Sequence, residues 1–505
     1  MSGVRPSGPE HTGPDTARME ADTGADWADR PDTRSDPALL EQVRRAAPRR
    51  RLVVLDDDPT GMQTLYGIPV LLQWQGDEIR QALVAGWPAV YILTNSRSMN
   101  ADEAARTVSE VMRRLVAAAQ DLGLDLRVVS RGDSTLRGHF PLETDLMAGE
   151  LGGVTPIAGT VLVPAFIEGG RITRGGVHYL VEGGLPVPVG ETEYARDPAF
   201  AYRSSSLPEW VEEKTGGRTP AGEVQVLTLD TIRSGGPQAV SAWLQALPAP
   251  FVAAADAACQ RDLEVLALGA LMAEEAGVNV LFRTAASMVR ALAGLESRGL
   301  LPLPGLLSPR SEAGGLCVVG SFIGRSSEQL TRLLALPDVR AVELDVNRVL
   351  DGADGEETTR TADEVNALLA AGQHVVLFTS RGVRTGGSAA LSLDIGRSVS
   401  GALTDVVQGL KTEPGFLIAK GGITSHNVAF RGLGAHSALV LGQALSGVPV
   451  WQLGDETPFP GLPYIVFPGN VGAPGSLGDL FSGLQTELGR RRLDRAAGPS
   501  VTGAP

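Results

Sequence analysis

The sequence predicts an α/β protein of two domains, each a mainly parallel sheet flanked by helices, with its active site in the cleft between them. Three observations carry that prediction. Apolar runs of strand length recur along the 505 residues and alternate with segments of helical spacing such as Glu103–Ala119. The runs are continuous rather than alternating, as expected of strands covered on both faces. A Pro-rich interruption, Leu300–Pro309, divides the series into two sets.

Taken in order, residues 1–36 are rich in Gly, Pro, Asp, Thr and Arg and nearly lack large aliphatics, which predicts a disordered tail. The first domain is expected over residues 37–300. Its strands fall at Leu52–Leu55, Ile68–Leu72, Val90–Leu93, Val128–Val129, Val161–Val163, Val224–Leu229 and Phe251–Ala254, and a long helical stretch, Leu263–Leu295, closes it. Residues 301–310 read as a linker and hinge. The second domain, 311–489, has strands at Leu316–Val319, Val342–Leu344, Val375–Phe378, Phe416–Ile418, Ala438–Leu441, Pro449–Leu453 and Tyr464–Phe467. Residues 490–505 read as a flexible tail.

Composition excludes several classes of function. A net charge of -14 argues against a nucleic-acid surface or an anionic membrane partner. No apolar run reaches the length of a membrane span, and the N-terminus has no signal-peptide core, so a cytoplasmic protein is expected. Cys259 and Cys317 stand far apart among apolar residues, as buried thiols rather than a disulfide. The histidines lack metal-ligand spacing, and His139 is expected to pack or hydrogen-bond rather than to ligate.

In open α/β sheets, ligands bind beyond the carboxyl ends of the strands. Polar and glycine-rich clusters fall there repeatedly: Asp56-Asp57-Asp58-Pro59-Thr60-Gly61, Thr94-Asn95-Ser96-Arg97, Ser130–Phe140 and Pro164–Arg171 in the first half. The second half has Gly320-Ser321, Thr379-Ser380-Arg381-Gly382, Lys420–Ser425 and Pro468–Gly472. The first set is rich in carboxylates and arginines, suited to a polyol acid and to taking a hydroxyl proton. The second is rich in glycine, which lets backbone N–H groups approach phosphate oxygens. Neither a Walker A sequence nor a Rossmann glycine fingerprint occurs. The division of chemistry suggests phosphoryl transfer from a nucleotide to a sugar-like acceptor.

Several strings resemble the four-carbon acid sugar kinase family. The D-D-x-T-G turn resembles Asp57 through Gly61, and K/R-x-D-S-T-L-R-G resembles Arg131 through Gly138. P-A-F-x-E-x-G-R-x-T resembles Pro164 through Thr173, and E-T-E-x-A-R-D-P resembles Glu191 through Pro198. G-S, G-G-x-T-S and G-N-x-G turns resemble Gly320-Ser321, Gly421–Ser425 and Gly469–Gly472. Departures are Arg131 where Lys is common, Asp58-Pro59 where many members have one Asp followed by Leu, and Val471 where Phe is usual. The resemblance spans residues 50 to 480 and implies a sugar-binding domain followed by a nucleotide-binding domain. It implies ATP-dependent phosphorylation of a tetronate such as threonate, erythronate or an oxo-tetronate. By carry-over, Ser321, Gly421, Gly422, Ile423, Thr424, Gly469, Asn470, Val471 and Gly472 contact ATP, while Asp57, Asp133, Ser134 and Arg137 line the acid-sugar side.

On this reading Arg137, with Arg131 or Arg97, pairs with the substrate carboxylate, since a guanidinium fork suits a planar carboxylate. Asp133 is the first choice for accepting the hydroxyl proton, with Asp57 next. Mg2+ would bridge the phosphates largely through waters, its protein ligands unassigned. Closure about Leu300–Pro309 would exclude water. Two rivals stand beside the kinase. One is a haloacid-dehalogenase-like phosphatase using Asp56 and Asp58; the other is a sugar-acid binding protein without chemistry. The partner expected is a small sugar acid.

Overall fold

The computed structural model describes residues 32–75, 77–320, 324–380, 389–469 and 471–496. Ser321, Arg381, Gly382 and Asn470 lie outside the described residues, as do residues 1–31 and 497–505 of the two expected tails.

The strands of the first half are β1 (Arg51–Asp56), β2 (Ile68–Leu71), β3 (Val90–Leu93), β4 (Leu126–Arg131) and β5 (Gly159–Val163). β6 (Arg171–Arg174), β7 (Val177–Glu182), β8 (Leu185–Pro188), β9 (Gln225–Leu227), β10 (Phe251–Ala255) and β11 (Val280–Thr284) follow. The second half supplies β12 (Leu316–Val319), β13 (Val339–Leu344), β14 (His374–Thr379), β15 (Leu417–Lys420), β16 (Ser437–Leu445), β17 (Val448–Leu453) and β18 (Pro463–Phe467). Strands β1, β3, β4, β12, β14 and β15 are buried or nearly so along their whole length, which is why their sequences are continuously apolar.

The expected pair of sheets is joined edge to edge. Fifteen strands form one sheet in the order β13-β14-β12-β15-β18-β17-β16-β2-β3-β1-β4-β11-β5-β10-β9. Strands from β2 to β9 in that order pair in parallel, as do those from β13 to β18. The β18–β17, β17–β16 and β16–β2 pairs are antiparallel. Three reversals leave the parallel strands of the two halves running in opposite senses. Six steps of sheet separate β1 from β15, and at about 20–25° of twist per step they rotate one set through most of a half-turn relative to the other. Asp58, just after β1, and Gly422, just after β15, lie together despite the opposed strand senses, as such a twist allows.

Several local expectations are corrected. Leu263–Leu295 is not one helical stretch: a helix at Gln260–Glu275 is followed by β11 and a helix at Ala286–Leu292. Gly277 adopts φ +91° and ends the first helix, and the Val280-Leu281-Phe282 run then enters the sheet between β4 and β5. A separate three-stranded sheet, β6-β7-β8, was not anticipated. Its turns are Gly175-Gly176 and Gly183-Gly184, each glycine at positive φ, the conformation that tight hairpins require.

The tail and linker boundaries also shift. Residues 32–36 are seated on the first half: Gln260 N–H donates to the Asp32 carbonyl at 2.8 Å, and Asp36 caps the helix Pro37–Ala46. At the other end the helix Ser476–Ala496 runs past Arg490, held where Arg490 pairs with Asp494 at 2.7 Å and Arg492 Nε donates to the Glu312 carbonyl at 2.8 Å. The Pro-rich segment is packed rather than free. Leu306, Leu307 and Ser308 are buried, and Leu301 N–H donates to the Gln443 carbonyl at 2.8 Å. The β2–β16 ladder joins the two halves a second time.

Candidate functional site

The end of β1 places three consecutive carboxylates at the floor of the first half. Asp56 is fully buried; its Oδ1 accepts from Arg131 at 3.0 Å and its Oδ2 lies against Gly61, whose added Cβ would stand 1.9 Å away. Burial pushes the Asp56 carboxyl up to about 7, Arg131 opposing it and Asp57 and Asp58 adding to it. Asp57 is held by three guanidinium groups: Arg97, through Nε at 3.2 Å and a second donor, Arg131 at 3.6 Å and Arg283 at 3.8 Å. Asp58 Oδ1 accepts from the N–H of Thr60 at 2.8 Å and from its hydroxyl, while Oδ2 lies 3.5 Å from Arg97.

The loop after β4 supplies the opposite wall. Asp133 Oδ2 accepts from Arg137 Nε at 2.7 Å and from the Thr135 hydroxyl, and Oδ1 lies 3.7 Å from Arg97. Burial raises the Asp133 carboxyl, but Arg137 and Arg97 outweigh it and leave the group far below the usual carboxylate range. Its Oδ2 is thus committed to Arg137 and Thr135. Arg137 also reaches Asp197 at 3.4 Å and lies over the Tyr194 ring, so the Glu191–Pro198 segment helps to set its position. Ser134 is buried, and its carbonyl accepts from His178 Nε2 at 2.8 Å. Burial holds that imidazole down to about 4, hence neutral. His139 Nε2 bonds to the carbonyls of Ser96 and Met99, both at 3.1 Å, in the packing role expected of it.

Two non-glycine residues at positive φ border this cluster: Asn95 (φ 53°) after β3 and Leu136 (φ 67°) inside the D-S-T-L-R-G string. Such conformations cost on the order of 1–3 kcal/mol and persist only where surroundings impose them. For Leu136 the surroundings are a buried apolar cluster with Phe140, Tyr202 and Trp210.

Arg283 and Glu143 were missed by sequence reasoning. Arg283, one residue before the end of β11, is 7% exposed and donates from one nitrogen to Ser130 Oγ at 2.8 Å and Glu143 Oε2 at 2.6 Å. A Cβ at Gly132 would lie 2.4 Å from its Cζ, and one at Gly138 2.8 Å from its terminal nitrogen. The glycines of the Arg131–Gly138 string thus make room for an arginine over a hundred residues away. That spatial demand is the available signal, and the helix expected over Leu263–Leu295 hides it, because β11 lies inside that range. Asp133, Arg137, Arg283, Thr284, Pro164 and Trp210 together line a pocket at the carboxyl ends of β4, β5 and β11.

The second half contributes backbone instead. Gly421 (φ 104°) follows β15, and its N–H donates to the Phe467 carbonyl at 2.8 Å. The expected Gly421–Ser425 turn is the start of a helix, Gly422–Asn427, and Thr424 Oγ1 lies where a Cβ on Gly320 would approach to 2.6 Å, so the Gly320 turn packs directly on that helix. Lys420 is fully buried and donates through Nζ to the carbonyls of Pro468 at 2.5 Å and Gly469 at 3.0 Å. Gln329 donates to the carbonyls of Val471 at 3.2 Å and Ala473 at 2.9 Å, and Gly472 takes φ 83°. Ile423 is exposed on its helix.

The two clusters meet. A Cβ on Gly422 would stand 2.9 Å from Asp58 Oδ2, and all the atoms nearest that point belong to Asp58. Further out, Arg397 pairs with Glu103 at 3.1 Å across the halves.

Residues 52–292 match the family described as a sugar-binding N-terminal domain, and residues 316–477 the family described as a nucleotide-binding C-terminal domain. The chain belongs to the four-carbon acid sugar kinase family. Both domains of that architecture are present in order, with the carboxylate–arginine cluster in the first and the glycine turns in the second. A protein of Haemophilus influenzae has the same fold at 18% identity and a TM-score of 0.58, covering 86% of this chain and 100% of that one. A Salmonella typhimurium LT2 protein carrying a provisional tRNA-synthase label superposes with a TM-score of 0.62 at 18% identity, covering 86% of this chain and 99% of that one. Likeness at this level of identity speaks for the fold. No curated protein matches the chain. Among the described residues, no helix is long and apolar enough to cross a membrane.

Proposed function

We propose that the protein is an ATP-dependent kinase that phosphorylates a hydroxyl of a four-carbon sugar acid. The observation that carries this reading is the contact of Asp58 with Gly422, which joins the arginine–carboxylate cluster beside the Asp133 pocket to the glycine-rich segments of a nucleotide-binding domain. Arg137 and Arg283 are the guanidinium groups lining that pocket, and we assign the substrate carboxylate to them. Carboxylate oxygens on the pocket wall would accept from the polyol hydroxyls. ATP would lie across the Gly320, Gly421–Thr424 and Gly469–Gly472 segments, where glycine lets phosphate oxygens approach the backbone.

Among the described residues, no three His, Cys, Asp or Glu side chains group to hold a metal, and Asp56, Asp57, Asp58 and Asp133 each face arginine. These residues do not form a cage for Mg2+. The phosphatase reading loses support from Asp56: a nucleophile must reach its substrate, and this carboxylate is fully buried against Arg131 and Gly61.

A coupled ADP-release assay over threonate, erythronate and oxo-tetronates tests the kinase. Turnover that needs both ATP and one of these acids is the expected result. Hydrolysis of a phosphate ester without ATP would favour the phosphatase, and binding without ADP release the non-enzymatic protein. Arg137→Ala should raise the KM for the acid about tenfold or more; an unchanged KM removes the carboxylate clamp.

A further inference from the structure

We propose that Asp58, rather than Asp133 or Asp57, takes the proton from the acceptor hydroxyl; this rests on the kinase reading. In a phosphoryl transfer the hydroxyl oxygen forms a bond to the γ-phosphorus while the bond from that phosphorus to the β–γ bridging oxygen breaks. The nucleoside diphosphate leaves with the electron pair, and the hydroxyl proton passes to a base. The acceptor oxygen must stand about 3–3.5 Å from the phosphorus, so the base has to lie where acceptor pocket and phosphate turn touch.

Among the described carboxylates of the first half, Asp58 is the one whose atoms stand nearest to Gly422, with Oδ2 foremost. Asp56 is sealed beneath Gly61 and Asp57 is enclosed by Arg97, Arg131 and Arg283. Asp133 spends Oδ2 on Arg137 and Thr135. Asp58 likewise commits Oδ1, to Thr60, but its Oδ2, 3.5 Å from Arg97, faces Gly422 of the second half.

Arg97 makes the arrangement workable. One of its nitrogens lies 3.5 Å from Asp58 Oδ2 and 3.7 Å from Asp133 Oδ1, so it spans the crossing point and the pocket wall. A short sugar acid reaching both carboxylates would place one hydroxyl at Asp58. Burial raises the Asp58 carboxyl, while Arg97 and the Thr60 hydroxyl more than offset that and keep it ionised at neutral pH. The Asp58 side chain is 18% exposed, giving the accepted proton a path to water.

The experiment compares full-length wild type, Asp58→Asn, Asp58→Glu and Asp133→Asn by ADP release, ADP calorimetry and thermal melting. Asn at 58 keeps the Oδ1 acceptor for Thr60. Asp58→Asn should lower kcat about 10²–10⁴-fold while the KM for the acid and the ADP Kd stay within about threefold, and Asp133→Asn should chiefly raise KM. Partial recovery of kcat in Asp58→Glu supports the assignment, and decides it if Asp58→Asn does not fold. The assignment is overturned if Asp58→Asn keeps kcat within about threefold, if it loses ADP binding, or if Asp133→Asn loses kcat at unchanged KM. A wild type that releases no ADP on any acid, yet binds ADP, overturns the kinase reading itself and the base with it.

Discussion

The two halves prepare for ligands by opposite means. The first uses buried charged side chains, each carboxylate held by one or more arginines: Asp56 by Arg131, Asp57 by Arg97, Asp133 by Arg137, Glu143 by Arg283. The second uses backbone at its strand ends: glycines at positive φ and main-chain carbonyls tied by Lys420 and Gln329, while its ion-pair group, Arg348 and Arg360 about Glu357, sits on the flanking helices. The contrast teaches that the halves should fail differently. Removing one member of a charge network leaves partners buried and unpaired, whereas altering a turn changes shape at the ligand while the core stays intact.

The largest effect is expected from Arg283→Met. It strips buried Glu143 of its closest cationic partner and should cost about 3–5 kcal/mol of stability in denaturant unfolding. A loss under about 1 kcal/mol would mean that the network is not what holds the first half together. Gly132→Ala should come next, because its Cβ meets the Arg283 guanidinium. About 1–3 kcal/mol of stability should be lost, with a raised KM for the acid. Lys420→Met sharpens the other side of the contrast. It should weaken ADP binding roughly tenfold by calorimetry, since the Pro468 and Gly469 carbonyls lose their donor; unchanged ADP affinity would detach Lys420 from the nucleotide turn.

The smallest effect is a pH dependence. Asp56 is raised in the folded state to about 7, so between its unfolded value of 3.8 and about 7 the folded protein holds a proton that the unfolded chain has lost. This group therefore favours folding at low pH, and that contribution is lost as pH rises through about 7. The melting temperature of Asp56→Asn relative to wild type should move in the variant's favour between pH 5 and pH 8; a pH-independent difference would show Asp56 ionised throughout.

Much of the fold was legible because burial on both faces writes a strand as an uninterrupted apolar run, and all fourteen strands read from such runs are present. β11 was lost because a short apolar run between two helices cannot be told from helix by periodicity alone; Gly277 and Asn279 were the marks that separate it. The β6–β8 sheet was overlooked although paired glycines at 175–176 and 183–184 spell two hairpin turns. Residue types of the site were legible too: Asp57, Asp133, Arg137 and Arg131 all lie in one cluster. Their pairings were not, because which arginine meets which carboxylate depends on strand order.

By itself, then, the sequence determined the class of fold, the order of a charged half and a glycine-rich half, and the residues that gather at strand ends, all of which follow from local burial and local turn chemistry. Only the tertiary structure decided that the two sheets are one, that Arg283 fills the space left by Gly132 and Gly138, and that Asp58 is the carboxylate facing Gly422. Those facts come from strand pairing across distant segments and from the twist accumulated between β1 and β15. No stretch of chain encodes either one locally.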